Sequence, residues 1–255
     1  MEISVAELLK GKSTIIKNRE YFQTKTYVDP FLDKMSKLTN DFRIQVKTPE
    51  QMTYSATETD LTYNRVWIQA VLPQEYTIDS HEEVIGFLYG IDVKKPVVKI
   101  YRGYLNQACT NLTVFNPMWM NVQEMIAGDP INYNPVKTLM EDTSDFKVRL
   151  DKMKNQYLDR SKMTDYLGKW VDYVIRESQD YGYGKVKIAA STPIDAYKKL
   201  VLDADSEYYV PDNLDPNLFD VYNSFTKIVT DDKKDIMGKF EKTLLIGKML
   251  GVVEQ

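Results

Sequence analysis

Tyr63-Asn64-Arg65-Val66-Trp67-Ile68-Gln69-Ala70-Val71-Leu72 is the stretch that decides the fold class, because its apolar and polar positions alternate. Side chains two apart on a strand share a face. Val66, Ile68, Ala70 and Leu72 therefore point one way, and Tyr63, Arg65, Trp67 and Gln69 the other. A period of two argues for a half-buried strand and against a helix. Upstream, Phe42, Ile44 and Val46 alternate in the same way with Arg43, Gln45 and Lys47. Downstream, strands are expected over Val84 to Asp92 and Val97 to Arg102, joined by a turn at Val93-Lys94-Lys95-Pro96, with one more between Leu105 and Phe115. Residues 42–116 thus read as an antiparallel meander with one face on a core and the other turned outward.

Beyond Phe115 the spacing becomes helical. Asn116-Pro117 and Asn134-Pro135 each set a capping side chain before a proline that needs no N–H partner in the first turn. Val136, Leu139, Met140, Phe146, Leu150, Met153 and Tyr157 follow three- and four-residue steps, with Asp142-Thr143-Ser144-Asp145 as a break point. Leu167, Trp170, Val171, Val174 and Ile175 form an amphipathic stripe ended by Gly182-Tyr183-Gly184. Lys185 to Ala189 reads as a short strand. Ser191-Thr192-Pro193 caps a helix carrying Ile194, Tyr197, Leu200 and Val201. Asp215-Pro216 caps another carrying Leu218, Val221, Tyr222, Phe225 and Ile228, and a last helix is expected from about Asp232 to Leu250. Strands first and helices later give an α+β class. The expected layout is a single domain: a helical, basic arm over 1–41, the sheet over 42–116 and a mainly helical cover over 117–255.

Composition narrows the chemistry. The single cysteine, Cys109, excludes an intramolecular disulfide and any multi-thiolate zinc site. With His81 the only imidazole, a metal site would be built from carboxylates, and a Ser-His-Asp triad could use no other base. No run of about 18 apolar residues could cross a bilayer, and Met1-Glu2-Ile3-Ser4 does not begin a signal peptide, so no membrane partner and a cytosolic location are expected. A net charge of −4 argues against coating duplex DNA. The charges are unevenly placed, however. Lys10, Lys12, Lys17, Arg19 and Lys25 face one acid, Glu20, whereas Asp203, Asp205, Glu207, Asp212, Asp215 and Asp220 sit between Leu200 and Thr226 with no base.

Several residues carry chemistry, each with an ordinary reading beside it. Gly182-Tyr183-Gly184 lacks the third glycine and the Lys-Ser/Thr of a phosphate loop, so no cofactor is expected. His81, in Asp79-Ser80-His81-Glu82-Glu83, is a pH-sensitive or general-base group, or simply an exposed turn. Cys109 reads as a packing residue. Asp92-Val93-Lys94, with Glu82 or Glu83, has the acid-x-Lys form of a metal-dependent nuclease. Asp203, Asp205, Glu207, Asp212 and Asp215 offer calcium-type oxygens without the spacing of a calcium loop, and Asp215 also reads as a helix cap. Aromatic and basic residues interleave on the outward sheet face: Tyr63, Arg65 and Trp67 on one strand, Lys99 and Tyr101 on another. Such a face can stack unpaired bases while cations follow the phosphates.

Ser80-His81, then Cys109-Thr110-Asn111-Leu112 within Tyr104–Leu112, then Asn223-Ser224-Phe225-Thr226, resemble in order and spacing the motifs of a phage and plasmid family of unknown function. Leu112 stands where that family commonly has glycine. The resemblance implies a mobile-element origin, expression in the cytoplasm of a bacterial host, and a place in replication or recombination gene sets, with a fold similar to that of single-strand annealing proteins. The resulting expectation is a non-enzymatic bacteriophage protein that binds single-stranded DNA or RNA as a homo-oligomer. Its contacts would be Tyr63, Arg65, Trp67, Lys99 and Tyr101, assisted by Lys10, Lys12, Lys17 and Arg19. One alternative is a protein–protein interaction or assembly factor with a phage or host partner, virion-associated or directed against host defence, for which Met118-Trp119-Met120 is a candidate anchor. The other is the nuclease built on Asp92 and Lys94.

Overall fold

The computed structural model describes residues 14–16, 19–21, 24–47, 65–73, 81–90, 97–106, 112–113, 120–125, 130–141, 145–177, 188–189, 191–230, 242–243 and 245–246. In chain order the strands are β1 (Thr14–Ile16), β2 (Arg19–Tyr21), β3 (Arg43–Lys47), β4 (Arg65–Val71), β5 (His81–Gly90), β6 (Val97–Asn106), β7 (Leu112–Thr113) and β8 (Met120–Glu124). The helices are α1 (Thr24–Ser36), α2 (Pro135–Glu141), α3 (Asp145–Asn155), α4 (Met163–Glu177), α5 (Ser191–Tyr197) and α6 (Leu218–Thr230). A 3₁₀ turn covers Arg160–Lys162, and a π-helical segment, Lys198–Leu202, continues α5. The chain is α+β, as its periodicities predict. Its contacts divide into two compact units, Met1–Ala108 with Pro117–Asp142 and Lys233–Met237, and Cys109–Asn116 with Thr143–Asp232 and Gly238–Gln255.

The first unit is built on the meander. β3, β4, β5 and β6 pair antiparallel in sequence order, with Ile68 opposite Val46 and Phe87, and Phe87 opposite Ile100. β8 adds to β6 antiparallel, Ile100 facing Asn121. This corrects the helix expected after Asn116-Pro117, because Met120–Glu124 is a strand. Helix α1 covers one face of the sheet: Phe31 stacks on Phe87 at 5.2 Å and Tyr27 meets Tyr89 at 5.5 Å. Pro30 lies inside α1 on its exposed side, where it has no backbone N–H to donate. Tyr133, just before α2, stacks on Phe87 and donates its hydroxyl proton to the Tyr27 carbonyl at 2.6 Å. The arm expected to be helical carries the β1–β2 hairpin ahead of α1.

The second unit is helical. Leu158, Met163, Trp170, Val174, Leu200, Leu218, Val221, Tyr222 and Phe225 share one core, with Trp170 edge-on to Phe225 at 5.3 Å. The predicted stripe of α4 is narrower than expected. Trp170 and Val174 are buried, but Ile175 is exposed, as is Ile194 on α5. α2 ends at Glu141 and α3 starts at Asp145, and residues 142–144, where the break is expected, lie outside the described residues. The cap of α6 is Asn217, not Asp215. Asn217 Oδ1 accepts the Asp220 N–H at 2.9 Å and Asp220 Oδ2 accepts the Asn217 N–H at 3.1 Å, a reciprocal capping box. Gly182-Tyr183-Gly184, the turn at 93–96 and most of the strand over 185–189 and the last helix lie outside the described residues.

Candidate functional site

The face expected to be open is closed at its centre. Trp67, Lys99 and Tyr101 are 3%, 2% and 0% exposed, which corrects their placement on a solvent-facing surface. Period-two alternation separates two faces of a strand but cannot say that one of them is wet, and here both faces of the central strands are buried. Register lines up Trp67, Leu88 and Lys99 in one row and Gln69, Gly86 and Tyr101 in the next. Tyr101 lies across Gly86, where a Cβ would come within 1.9 Å of its ring. That glycine lets the Tyr101 hydroxyl reach β4 and accept protons from Trp67 Nε1 and, at 3.2 Å, from Gln69 Nε2. Burial pushes the Tyr101 hydroxyl pKa up and brings the Lys99 ammonium down to about 8. Tyr63, Lys10, Lys12 and Lys17 lie outside the described residues, and Arg65 and Arg19 are placed by backbone alone, in β4 and β2.

The opposite face holds a second polar group. His81 opens β5 and is 1% exposed, so it is not in an exposed turn. Two residues on, Glu83 faces Tyr104 across the β5–β6 pair, and its Oε1 lies 2.7 Å from Arg102 Nε. Arg102 also donates to the Tyr104 hydroxyl at 2.7 Å. Burial holds the Glu83 carboxyl above its usual range, against the pull of Arg102. Glu82 projects the other way and pairs with Arg43. The two acids proposed beside Asp92 and Lys94 are thus on opposite faces, each engaged by an arginine, and do not converge. Asp92 and Lys94 lie outside the described residues, as do Cys109 and Met118-Trp119. Among the described residues no group of three or more His, Cys, Asp or Glu could hold a metal ion.

The accessible constellation is in the second unit, on the acidic segment. Residues 156–158 pair antiparallel with 216–218: Leu158 N–H donates to the Pro216 carbonyl at 2.8 Å and Leu218 N–H to Gln156 at 2.9 Å. Immediately after this pair comes Arg160, held by the turn that Asp159 caps through Ser161. Those hydrogen bonds hold the Asp159 carboxyl below its usual range. The Arg160 guanidinium donates to the carbonyls of Val210, Pro211 and Leu214 at 2.9, 2.9 and 3.2 Å, and to Asp212 at 2.6 Å. Its backbone N–H meets Asp215 at 3.0 Å. One planar fork thus ties together a lobe of more than ten residues.

A cleft of about 670 Å³ opens on this lobe, lined by Tyr157, Tyr209, Leu214, Asp215, Asn217 and Asp220 with Val210, Pro211 and Asn213. Tyr157 is 63% and Leu214 53% exposed, and both line this one cleft. Tyr209 donates to Asp212 at 3.1 Å, and burial raises the Asp220 carboxyl above its usual range. Among the described residues the lining carries carboxylates and no basic side chain. Asp203, Asp205 and Glu207 belong to the same lobe as exposed acids, Glu207 standing 3.9 Å from Lys227. The sequence signal that pointed here was the run of acids without bases, while Arg160, about 50 residues upstream, carried no local mark.

The Asn223–Thr226 motif sits inside α6. Thr226 returns its hydroxyl to the Asn223 carbonyl at 3.1 Å and Ser224 to Val221 at 2.8 Å, bonds internal to the helix. Comparison of the chain with protein-family models, curated proteins and solved structures gave no match in any of the three.

Proposed function

We propose that this protein acts by binding another protein, phage or host, through the acidic lobe of its second unit. The observation that carries this reading is the exposed cleft in which Tyr157 and Leu214 stand beside Asp215 and Asp220 on a backbone fixed by Arg160. Exposed aromatic and aliphatic anchors on a preorganised backbone are what contact surfaces use, because ordering them on binding costs little. The nucleic-acid reading is not favoured by the same surface, since carboxylates repel phosphate, and its central rings are in the interior.

Affinity capture from bacterial lysate tests the proposal, with the wild-type chain and a Leu214→Arg variant as parallel baits. The expected result is a stoichiometric partner, identified by mass, that the variant loses while keeping its circular dichroism spectrum. Equal recovery by both baits, or no stoichiometric partner with either, overturns it.

A further inference from the structure

We propose that the cleft of the second unit receives an arginine side chain from a basic segment of the partner; this rests on the binding reading above. Charge makes the first selection. Among the described residues Asp215 and Asp220 are the carboxylates lining the cleft, and Arg160, a nearby cation, is already committed to Asp212 and to backbone carbonyls. The amino end of α6 contributes about half a positive charge at the same place. Two carboxylates outweigh it, so the cleft favours a cation.

Shape and surface then choose among cations. Two tyrosine rings, Tyr157 and Tyr209, belong to the lining, and a guanidinium plane stacks on such rings while offering paired N–H donors to a carboxylate. Leu214 supplies an apolar wall for the methylene stem. The volume, about 670 Å³, takes one long side chain with its flanking backbone. An ammonium group would satisfy the charge but neither the stacking nor the paired geometry. Asp215 uses Oδ1 for the Arg160 N–H, and its other oxygen is the acceptor for the guanidinium.

The test is fluorescence anisotropy with a labelled eight-residue peptide alternating arginine and glycine, compared with the same peptide carrying lysine or the neutral isostere citrulline. The arginine peptide should bind, the lysine peptide about tenfold more weakly and the citrulline peptide not measurably. Asp215→Asn, which keeps the acceptor for Arg160 and removes the charge, and Tyr157→Ala, at an exposed ring, should each weaken the arginine peptide about tenfold with unchanged thermal unfolding. Equal binding of arginine and citrulline peptides, or indifference to both substitutions, overturns the inference. If no peptide binds but the Leu214→Arg bait still loses its stoichiometric partner, arginine capture falls and the binding reading stands. If neither experiment responds, both fall.

Discussion

Replacing Gly86 with alanine should destabilise the first unit by about 4 kcal/mol, although the same substitution at Gly168 should be favourable. At Gly86 the new Cβ would stand 1.9 Å from Tyr101 Cζ and 2.1 Å from Cε1, far inside van der Waals contact. The Tyr101 ring is fully buried and cannot swing into solvent. Overpacking of this kind costs about 1–3 kcal/mol. Displacing the ring also removes the acceptor from Trp67 Nε1 and Gln69 Nε2, both buried, and each orphaned donor costs about 1–3 kcal/mol. Together these span about 3–9 kcal/mol, and partial relaxation around the ring sets the expected value near the low end, about 4 kcal/mol, a large share of a typical folding free energy of about 5–15 kcal/mol. At Gly168, in the middle of α4, nothing lies within 4 Å of the added carbon, and alanine should gain about 1 kcal/mol of helix propensity. The assay is urea unfolding, with hydrogen exchange of β4–β6 peptides to localise the effect. Tyr101→Ala alone should cost about 3–5 kcal/mol, and adding Gly86→Ala to it should then cost nothing further. A Gly86→Ala penalty under about 1 kcal/mol, or simple additivity with Tyr101→Ala, would refute the reasoning.

Three more outcomes follow from the buried and tethered charges. Lys99 has a folded pKa of about 8 against 10.5 for the ordinary side chain, so the unfolded chain binds more protons between those values and stability should rise as pH climbs from about 8 to 10.5. Lys99→Met should remove that pH dependence and add about 2 kcal/mol at neutral pH, read from urea midpoints. Breaking the Glu83–Arg102 pair with Glu83→Gln should cost about 3–5 kcal/mol, whereas replacing both partners by apolar residues should cost less; a double variant worse than the single would count against a desolvated pair. Arg160→Lys cannot reach the three carbonyls at once, so amides of 203–215 should lose hydrogen-exchange protection while those of α4 keep theirs.

The meander was legible because alternation from Phe42 to Arg102 survives in strands whose partners are close in sequence. Met120–Glu124 was not, because Met, Gln and Glu are good helix formers and only pairing with β6 makes the segment extended. His81 looked like a turn for its polar neighbours, yet His81 and Glu83 are the inward members of a strand whose partners, Asn106 and Tyr104, lie more than 20 residues on. The acidic run was visible as composition, but its conversion into a cleft depends on Arg160, and long-range backbone tethers leave no periodic trace. Asp215 and Asn217 are equally good capping residues by type. Only the hydrogen bonds of Asp220 decide between them.

Because Arg160 grips mainly main-chain oxygens, the length of the segment from Val201 to Leu214 is constrained far more tightly than its side-chain identities. An insertion or deletion there would pull acceptors out of range, while most outward-pointing residues can be exchanged without loosening the scaffold. Such a segment can drift toward new recognition chemistry one substitution at a time, with its geometry inherited unchanged.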